Sequence, residues 1–312
     1  MQLSRPTLDR FDEVLSLLQA SDCAVYGDTD WTAPELREQW DEMDLAADAW
    51  LVELDGRLAG VMHLCELRGR GCYVTDGYVH PELKGRGIGA YLLDLVEARA
   101  RERMVTEVPA GERVVLHNAH LHGDEGAASL VAAKGYTRVR TFFRMVADLD
   151  VVAAAPAVWP HGIELRPLDV ASHGPLLHAA DEDAFAQEWG YHPLAYEKWA
   201  SRVFGRQQFD PSLFVVAWDG DSIAGFSCNY PKRMGDWGWV GVLGVVPSWR
   251  RRGLGLALLR ESFRRFRATG ETVAALGVDA ENPTGATRLY ERAGMRILWR
   301  ADVWEKALRP GV

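Results

Sequence analysis

The chain has 312 residues, 48% of them apolar and 25% charged, a composition of soluble globular proteins and a length sufficient for two ordinary domains. A formal charge of −9 argues against nucleic acid or an anionic membrane surface as a partner, because either calls for a broad basic face. Four cysteines without a C-x-x-C pair, no apolar signal core at the N-terminus and no apolar run of about 18 residues lead us to expect reduced thiols, no metal site and a cytoplasmic protein. In chain order, the first pattern is a short strand and turn over residues 3–9 (LSRPTLD), then a helix over 11–18. A hairpin over 50–60 turns at Asp55-Gly56, a favoured short-turn pair. Next come a strand running into Val79-His80-Pro81, a loop with Lys84, Gly85, Arg86, Gly87 and Gly89, a helix over 88–103 and a strand over 113–117.

These landmarks return in the same order. Leu165-Arg166-Pro167-Leu168-Asp169 precedes a helix over 171–179. A second hairpin over 214–225 turns at Asp219-Gly220, and residues 245–255 repeat residues 79–89. Two copies of one fold follow: residues 1–149, an Ala/Pro-rich linker at 150–161, and residues 162–312. Each copy reads strand, helices, hairpin, strand, glycine loop, helix, strand, helix, strand. That is an α+β fold, a mixed, largely antiparallel sheet flanked by helices.

The densest chemical signal is residues 243–259, LGVVPSWRRRGLGLALL. A β-branched run ends at Pro247, which cannot donate to a ladder. Arg250, Arg251 and Arg252 precede Gly253-Leu254-Gly255 and the start of a helix. Glycines admit a ligand close to the backbone, and the first helical N–H groups have no internal partner. Adjacent amides and three guanidinium groups together suit a polyphosphate. The spacing is neither that of a P-loop nor G-x-G-x-x-G. Further on, Asn282 is suited to cap a helix with Pro283 at its first position, and Gly294 to end it.

Arg250-x-x-Gly253-x-Gly255, preceded by Leu243-x-Val245-x-Pro247, resembles the R/Q-x-x-G-x-G/A motif of the GNAT superfamily of acyl-CoA-dependent N-acetyltransferases. Leu276-x-Val278 followed by Asn282, with Leu289-Tyr290 and Gly294 beyond, is similar to a second pattern of that family, Met295 standing for the usual Phe. The resemblance covers nearly the whole chain, twice. It implies a coenzyme A site at Leu243, Gly244, Val245 and Arg250 to Gly255, with acetyl-CoA as co-substrate and Asn282 on the pantetheine arm. It implies backbone near Val245, at a splay or bulge of the strand, as donor to the oxyanion, and Tyr290 facing the sulfur as general acid. A phenol ordinarily holds its proton more tightly than a thiol, so a hydrogen bond to the sulfur is the larger effect expected. A base must deprotonate the amine. Where some relatives carry an acid this chain has Gly277, so Asp279 and Glu182 (with Asp183 beside it) are the replacements, each reading more readily as a solvated surface acid than as a base. The aromatic stretch 181–199, containing Trp189, Tyr191, His192, Tyr196 and Trp199, reads either as a wall of the acceptor pocket or as packing.

The first copy departs from the pattern. Lys84 replaces the arginine, and Val131 falls opposite Tyr290 when Gly135 is matched to Gly294. Val79, Lys84, Gly85, Arg86, Gly87 and Gly89 still make it a candidate acetyl-CoA binder, but a non-catalytic one. His117, His120 and His122 lack a completing ligand and are not read as a metal site. The expected protein is a tandem acetyltransferase, monomer or homodimer, with an active C-terminal copy acting on a small-molecule or peptide amine. The alternative is a non-catalytic acyl-CoA-binding or sensing protein.

Overall fold

The structure, a computed structural model, describes residues 1–66, 71–206, 208–233 and 236–311. The chain begins with β1 (Gln2–Ser4), α1 (Phe11–Tyr26), α2 (Ala33–Asp41) and the short α3 (Leu45–Asp48). It continues through β2 (Ala49–Leu54), β3 (Arg57–Glu66), β4 (Cys72–Val79), α4 (Ile88–Glu107), β5 (Val114–Leu121), α5 (Glu125–Ala133) and β6 (Thr137–Asp148). After α6 (Leu149–Val152) the order repeats with β7 (Ile163–Leu165), α7 (Val170–Phe185), α8 (Tyr196–Phe204), β8 (Val215–Asp219), β9 (Ser222–Arg233) and β10 (Trp237–Val245). It closes with α9 (Leu254–Thr269), β11 (Val273–Asp279), α10 (Ala286–Arg292) and β12 (Arg296–Arg309). The Asp-Gly hairpin forms as expected: Asp55 (φ 53°) and Gly56 (φ 75°) both adopt the left-handed conformation that a tight two-residue turn demands.

Two compact units result, residues 1–142 with 299–312, and residues 143–298. The division is not the expected one at 150–161. Leu149 and Val152 of α6 are buried in the second unit's core, and the Leu149 amide donates to the Thr272 carbonyl at 2.9 Å. The first unit's strands run β1-β2-β3-β4-β5-β12 and the second unit's β6-β11-β10-β9-β8-β7. The copies have therefore exchanged their last strands. Residues 301–309 of β12 lie antiparallel on β5, with Glu305 opposite His117.

Helices cover both faces of each sheet. In the second unit, α9 buries Leu254, Leu258, Leu259, Phe263 and Phe266. It lies so close that a Cβ on Gly238 would meet the Phe266 ring at 2.4 Å. The opposite face carries α7 and α8, where Trp199, Phe214 and Phe226 fill the core. In the first unit α4 covers one face, burying Ile88, Leu92, Leu93 and Val96, while α1 and α2 cover the other around Val14, Leu18, Leu36 and Trp40.

The feature that positions the sites is a parting of parallel strands. In the second unit β10 and β11 pair only from Trp237↔Val273 to Trp239↔Ala275. In the first, β4 and β5 pair only from Cys72↔Val115 to Thr75↔Asn118. Beyond those points the strands diverge, and the glycine loop and its helix follow the open end.

Because β12 completes the first unit, a chain ending at Leu298 should lose hydrogen-exchange protection in β5 while keeping it in β9 and β10. Persistent protection of β5 amides in that truncation would contradict the exchange.

Candidate active site

At the end of β10, the Val246 amide donates to the Ala224 carbonyl and a single turn at Pro247–Trp249 reverses the chain. Arg251 (φ 61°) and Gly253 (φ 85°) are left-handed, and Gly253 is the N-cap of α9. Such a backbone favours glycine at 253, and a Cβ there would have open space around it, so the cap is unobstructed. The first intrahelical bond runs from Ala257 to the Gly253 carbonyl, so the amides of Leu254, Gly255 and Leu256 have no helical acceptor. Open space, free amides and a helix N-terminus are what a diphosphate requires. Leu254 itself is buried, and it is its main chain that serves the cradle.

The three arginines divide their work. Arg250 turns inward, donating through Nε to the carbonyl of Val245 (3.2 Å) and through one terminal nitrogen to that of Ala184 (2.8 Å), so it fastens the loop to α7. Arg251 is exposed, and Arg252 lies 4.7 Å over the Trp249 ring. Gly244 serves packing, since a Cβ there would stand 2.5 Å from the Phe226 ring. Leu243 packs against the cores on both faces of the sheet. Against β9, β10 is irregular at two places, between Trp237 and Trp239 and, as a bulge at Gly241, between Val240↔Asn229 and Val242↔Cys228, the latter four residues before Val245.

Around α10 stands a group the sequence names only in part. Tyr290 on α10 is 7% exposed, and burial, together with the charge of Glu188, raises its phenol above the ordinary 10. The Asn282 side-chain amide donates to the Glu188 carboxylate at 3.0 and 3.2 Å. Asn282 does not cap α10. Its carbonyl oxygen caps a tight turn by accepting from Thr284, and Gly285 (φ 75°) is the N-cap of a helix that starts at Ala286. Asp279, 8% exposed, accepts from the Glu281 amide and shapes the same turn. Glu182 lies 3.5 Å from His178, one turn back on α7. The carboxylate joined to Asn282 and acting on Tyr290 is therefore Glu188, which sequence reasoning passed over. Its one signal was its place in the acid- and aromatic-rich stretch after α7.

That stretch resolves mostly as packing. Tyr196 stacks on Trp199, Trp199 meets Phe204 edge to face, and the Trp199 indole N–H donates to Asp181 at 2.9 Å. Burial pushes the Asp181 carboxyl up to about 6.

In the first unit Gly85 (φ 79°) and Gly87 (φ 80°) reproduce the loop, and Gly87 is the N-cap of α4. Lys84, however, is paired with Asp124 at 2.7 Å. Gly89 carries no space for a ligand on its α-carbon, since a Cβ would stand 3.1 Å from Leu130. Arg86 is exposed. Val131, in the position corresponding to Tyr290, is buried. His117 bonds Glu305 (3.0 Å) and His122 bonds Asp302 (2.8 Å), so both rings are taken up by carboxylates of β12.

The model of the acetyltransferase (GNAT) family matches residues 11–122 and again 176–295, one match in each half and most of the chain together. The chain belongs to the GNAT family of acetyltransferases. It is 29% identical to a mycothiol acetyltransferase of Geodermatophilus obscurus over 94% of this chain and 96% of that one. It is 31% identical to another from Saccharopolyspora erythraea, covering 80% and 81% of the two chains. Among solved structures, a GCN5-related N-acetyltransferase from Sphaerobacter thermophilus superposes with a TM-score of 0.89 at 32% identity, over 100% of this chain and 96% of that one. A tandem GNAT protein from the clavulanic acid pathway shares the fold at a TM-score of 0.76 and 17% identity, each chain covered completely. This GNAT chain is thus an acetyltransferase of the tandem kind. Among the described residues no helix is long and apolar enough to cross a membrane.

A raised phenol pKa favours the protonated form, so Tyr290 stays a proton donor as pH rises through 10. The alkaline limb of kcat/KM should then show no loss from phenol ionisation below that value. Glu188→Gln should move the ionisation downward, because it removes a charge that holds the proton on. A loss of kcat/KM below pH 10 that Tyr290→Phe removes would contradict the raised phenol.

Proposed function

We propose that the second unit transfers the acetyl group of acetyl-CoA to a small-molecule primary amine by direct attack. The observation that carries this reading is that Asn282 holds Glu188, whose charge acts on Tyr290, in the unit whose glycine loop, touched by Leu289 of the same helix at Gly255, is suited to a diphosphate. Acetyl-CoA, when bound, supplies the thioester. The amides opening α9, with Arg251 and Arg252, hold the diphosphate. Glu188 takes the proton that the amine loses as its nitrogen bonds to the acetyl carbon. Backbone N–H groups of β10, which past Trp239 have no pairing with β11, serve the carbonyl oxygen. Tyr290, held neutral, donates to the sulfur as the carbon–sulfur bond breaks. Asn282 fixes the Glu188 carboxylate and lies toward the pantetheine arm.

The relatives named mycothiol acetyltransferases favour a small acceptor related to mycothiol over a peptide terminus, and favour transfer over a purely sensing role. We read the first unit as non-catalytic, because Val131 offers no proton and Lys84 is already neutralised by Asp124. A cytoplasmic location, where acetyl-CoA is available, fits this reading.

An assay of thiol release from acetyl-CoA over a panel of amines tests the proposal. Tyr290→Phe should lower kcat by about 10²-fold with little change in acetyl-CoA affinity. Arg251→Ala combined with Arg252→Ala should instead weaken acetyl-CoA binding. Full turnover in Tyr290→Phe, together with its loss on substitution of Lys84 and Arg86, would assign the chemistry to the first unit.

A further inference from the structure

At the end of the first unit's sheet away from the glycine loop, three neighbouring strands bring together a thiol, an imidazole and a carboxylate. Cys72 opens β4, so the eight residues of that strand, roughly 25 Å, separate it from the loop. Tyr73 and Leu116 point into the core beneath α4. Strand alternation therefore puts Cys72 of β4 and His117 of β5 on the other face. The register sets them diagonally, with Cys72 opposite Val115 and Val74 opposite His117. On the far side of β5, Glu305 of β12 stands opposite His117. The constellation exists only because the exchanged strand β12 completes this sheet.

The contacts run in series. The Cys72 sulfur lies 3.7 Å from His117 Nδ1, and His117 Nε2 lies 3.0 Å from Glu305 Oε2. A carboxylate only accepts, so Nε2 carries the ring proton and Nδ1 is the acceptor that meets the thiol. Arg113 donates to the other Glu305 oxygen at 2.5 Å and so holds the carboxylate in place. The His117 side chain is 10% exposed and that of Glu305 15%, which shields their bond from water. Cys72 is half-buried, not sealed in the core. A nucleophile within reach of a base, with the base oriented by a third group, is the arrangement that activates a thiol. Among the described residues no other cysteine meets an imidazole in this way. Cys23 is exposed, whereas burial pushes the Cys65 thiol up to about 11 and raises that of Cys228 well above its ordinary value.

We propose that Cys72 is a modification site for small disulfides, its thiol activated by His117 and His117 positioned by Glu305. The thiol passes its proton to His117 Nδ1, and Glu305 stabilises the imidazolium that forms. The Cys72 sulfur attacks one sulfur of the disulfide, so a new S–S bond forms as the old one breaks. The departing thiolate takes the proton back from His117. Cys72 ends oxidised in a mixed disulfide, and the other half of the reagent leaves reduced as a thiol. The site rests on no role assigned to Glu188 or Tyr290.

Competitive labelling of the full chain with hydroxyethyl disulfide at neutral pH, read cysteine by cysteine by peptide mass spectrometry, tests this. Cys72 should form its mixed disulfide about tenfold faster than Cys23, an exposed thiol without a base. His117→Ala should bring Cys72 down to the Cys23 rate or below, and added imidazole should restore part of the loss. Glu305→Gln keeps an acceptor for Nε2–H and should lose less than Glu305→Ala, as a positioning role requires. Cys228, 1% exposed, should stay unlabelled in every variant that is folded. His117→Gln replaces His117→Ala if the latter exposes Cys228. A Cys72 rate no greater than that of Cys23 in the unaltered chain would overturn the proposal. So would a Cys72 rate that the His117 substitution leaves unchanged while Cys228 stays protected.

Discussion

Everything functional in this molecule depends on two parallel strands that stop pairing after a few residues. Parallel ladders hold β10 to β11 and β4 to β5 near their starts only. Past that point main-chain groups along one edge lose their sheet partners, and a buried backbone group must find another. The glycine loop lies at the open end, where the helix behind it adds amides that its own geometry leaves unpaired. A cleft bordered by donors is therefore a consequence of topology before any side chain is chosen. Family members that share this topology need only dress it.

The second unit dresses it with the groups to which we assign acyl transfer. Arg250 clamps the loop to the C-terminal carbonyls of α7. That bond fixes the segment that follows α7, and the same segment carries Glu188 to Asn282. Tyr290 is buried deeply enough for its phenol to stay neutral, while Glu188 is only half-buried and sits at the solvent side of the group. An acid held protonated beside a carboxylate is the arrangement by which one site manages two proton movements of opposite direction. The first unit keeps the scaffold and the loop conformation, but presents Val131 and a lysine already paired.

Much of this was legible in the residues. Glycines and arginines at residues 250–255 announce an anion cradle because few other types tolerate those backbone angles or carry that charge. The tandem repeat followed from Asp-Gly turns and glycine loops recurring in order. Three things were not legible. The exchange of β6 and β12 leaves no trace, because a strand's alternation of apolar and polar residues is the same whichever sheet it joins. Glu188 is 94 residues from Asn282, and nothing local distinguishes it from Glu182 or Asp183 nearby. Asn282 carried a helix-cap signature, yet the turn through Pro283 and Thr284 used its side chain first and delayed the helix to Ala286. Local signals named the loop; only the fold could say which distant carboxylate meets it.

The central claim is that the α9 cradle and the Tyr290–Glu188 pair belong to one site. A crystal structure with coenzyme A bound tests it most directly. The account predicts the diphosphate on the amides of Leu254 to Leu256 and the sulfur within hydrogen-bond reach of the Tyr290 hydroxyl. A diphosphate on that loop with the sulfur directed away from α10, or a second unit left empty while the first is filled, would contradict it.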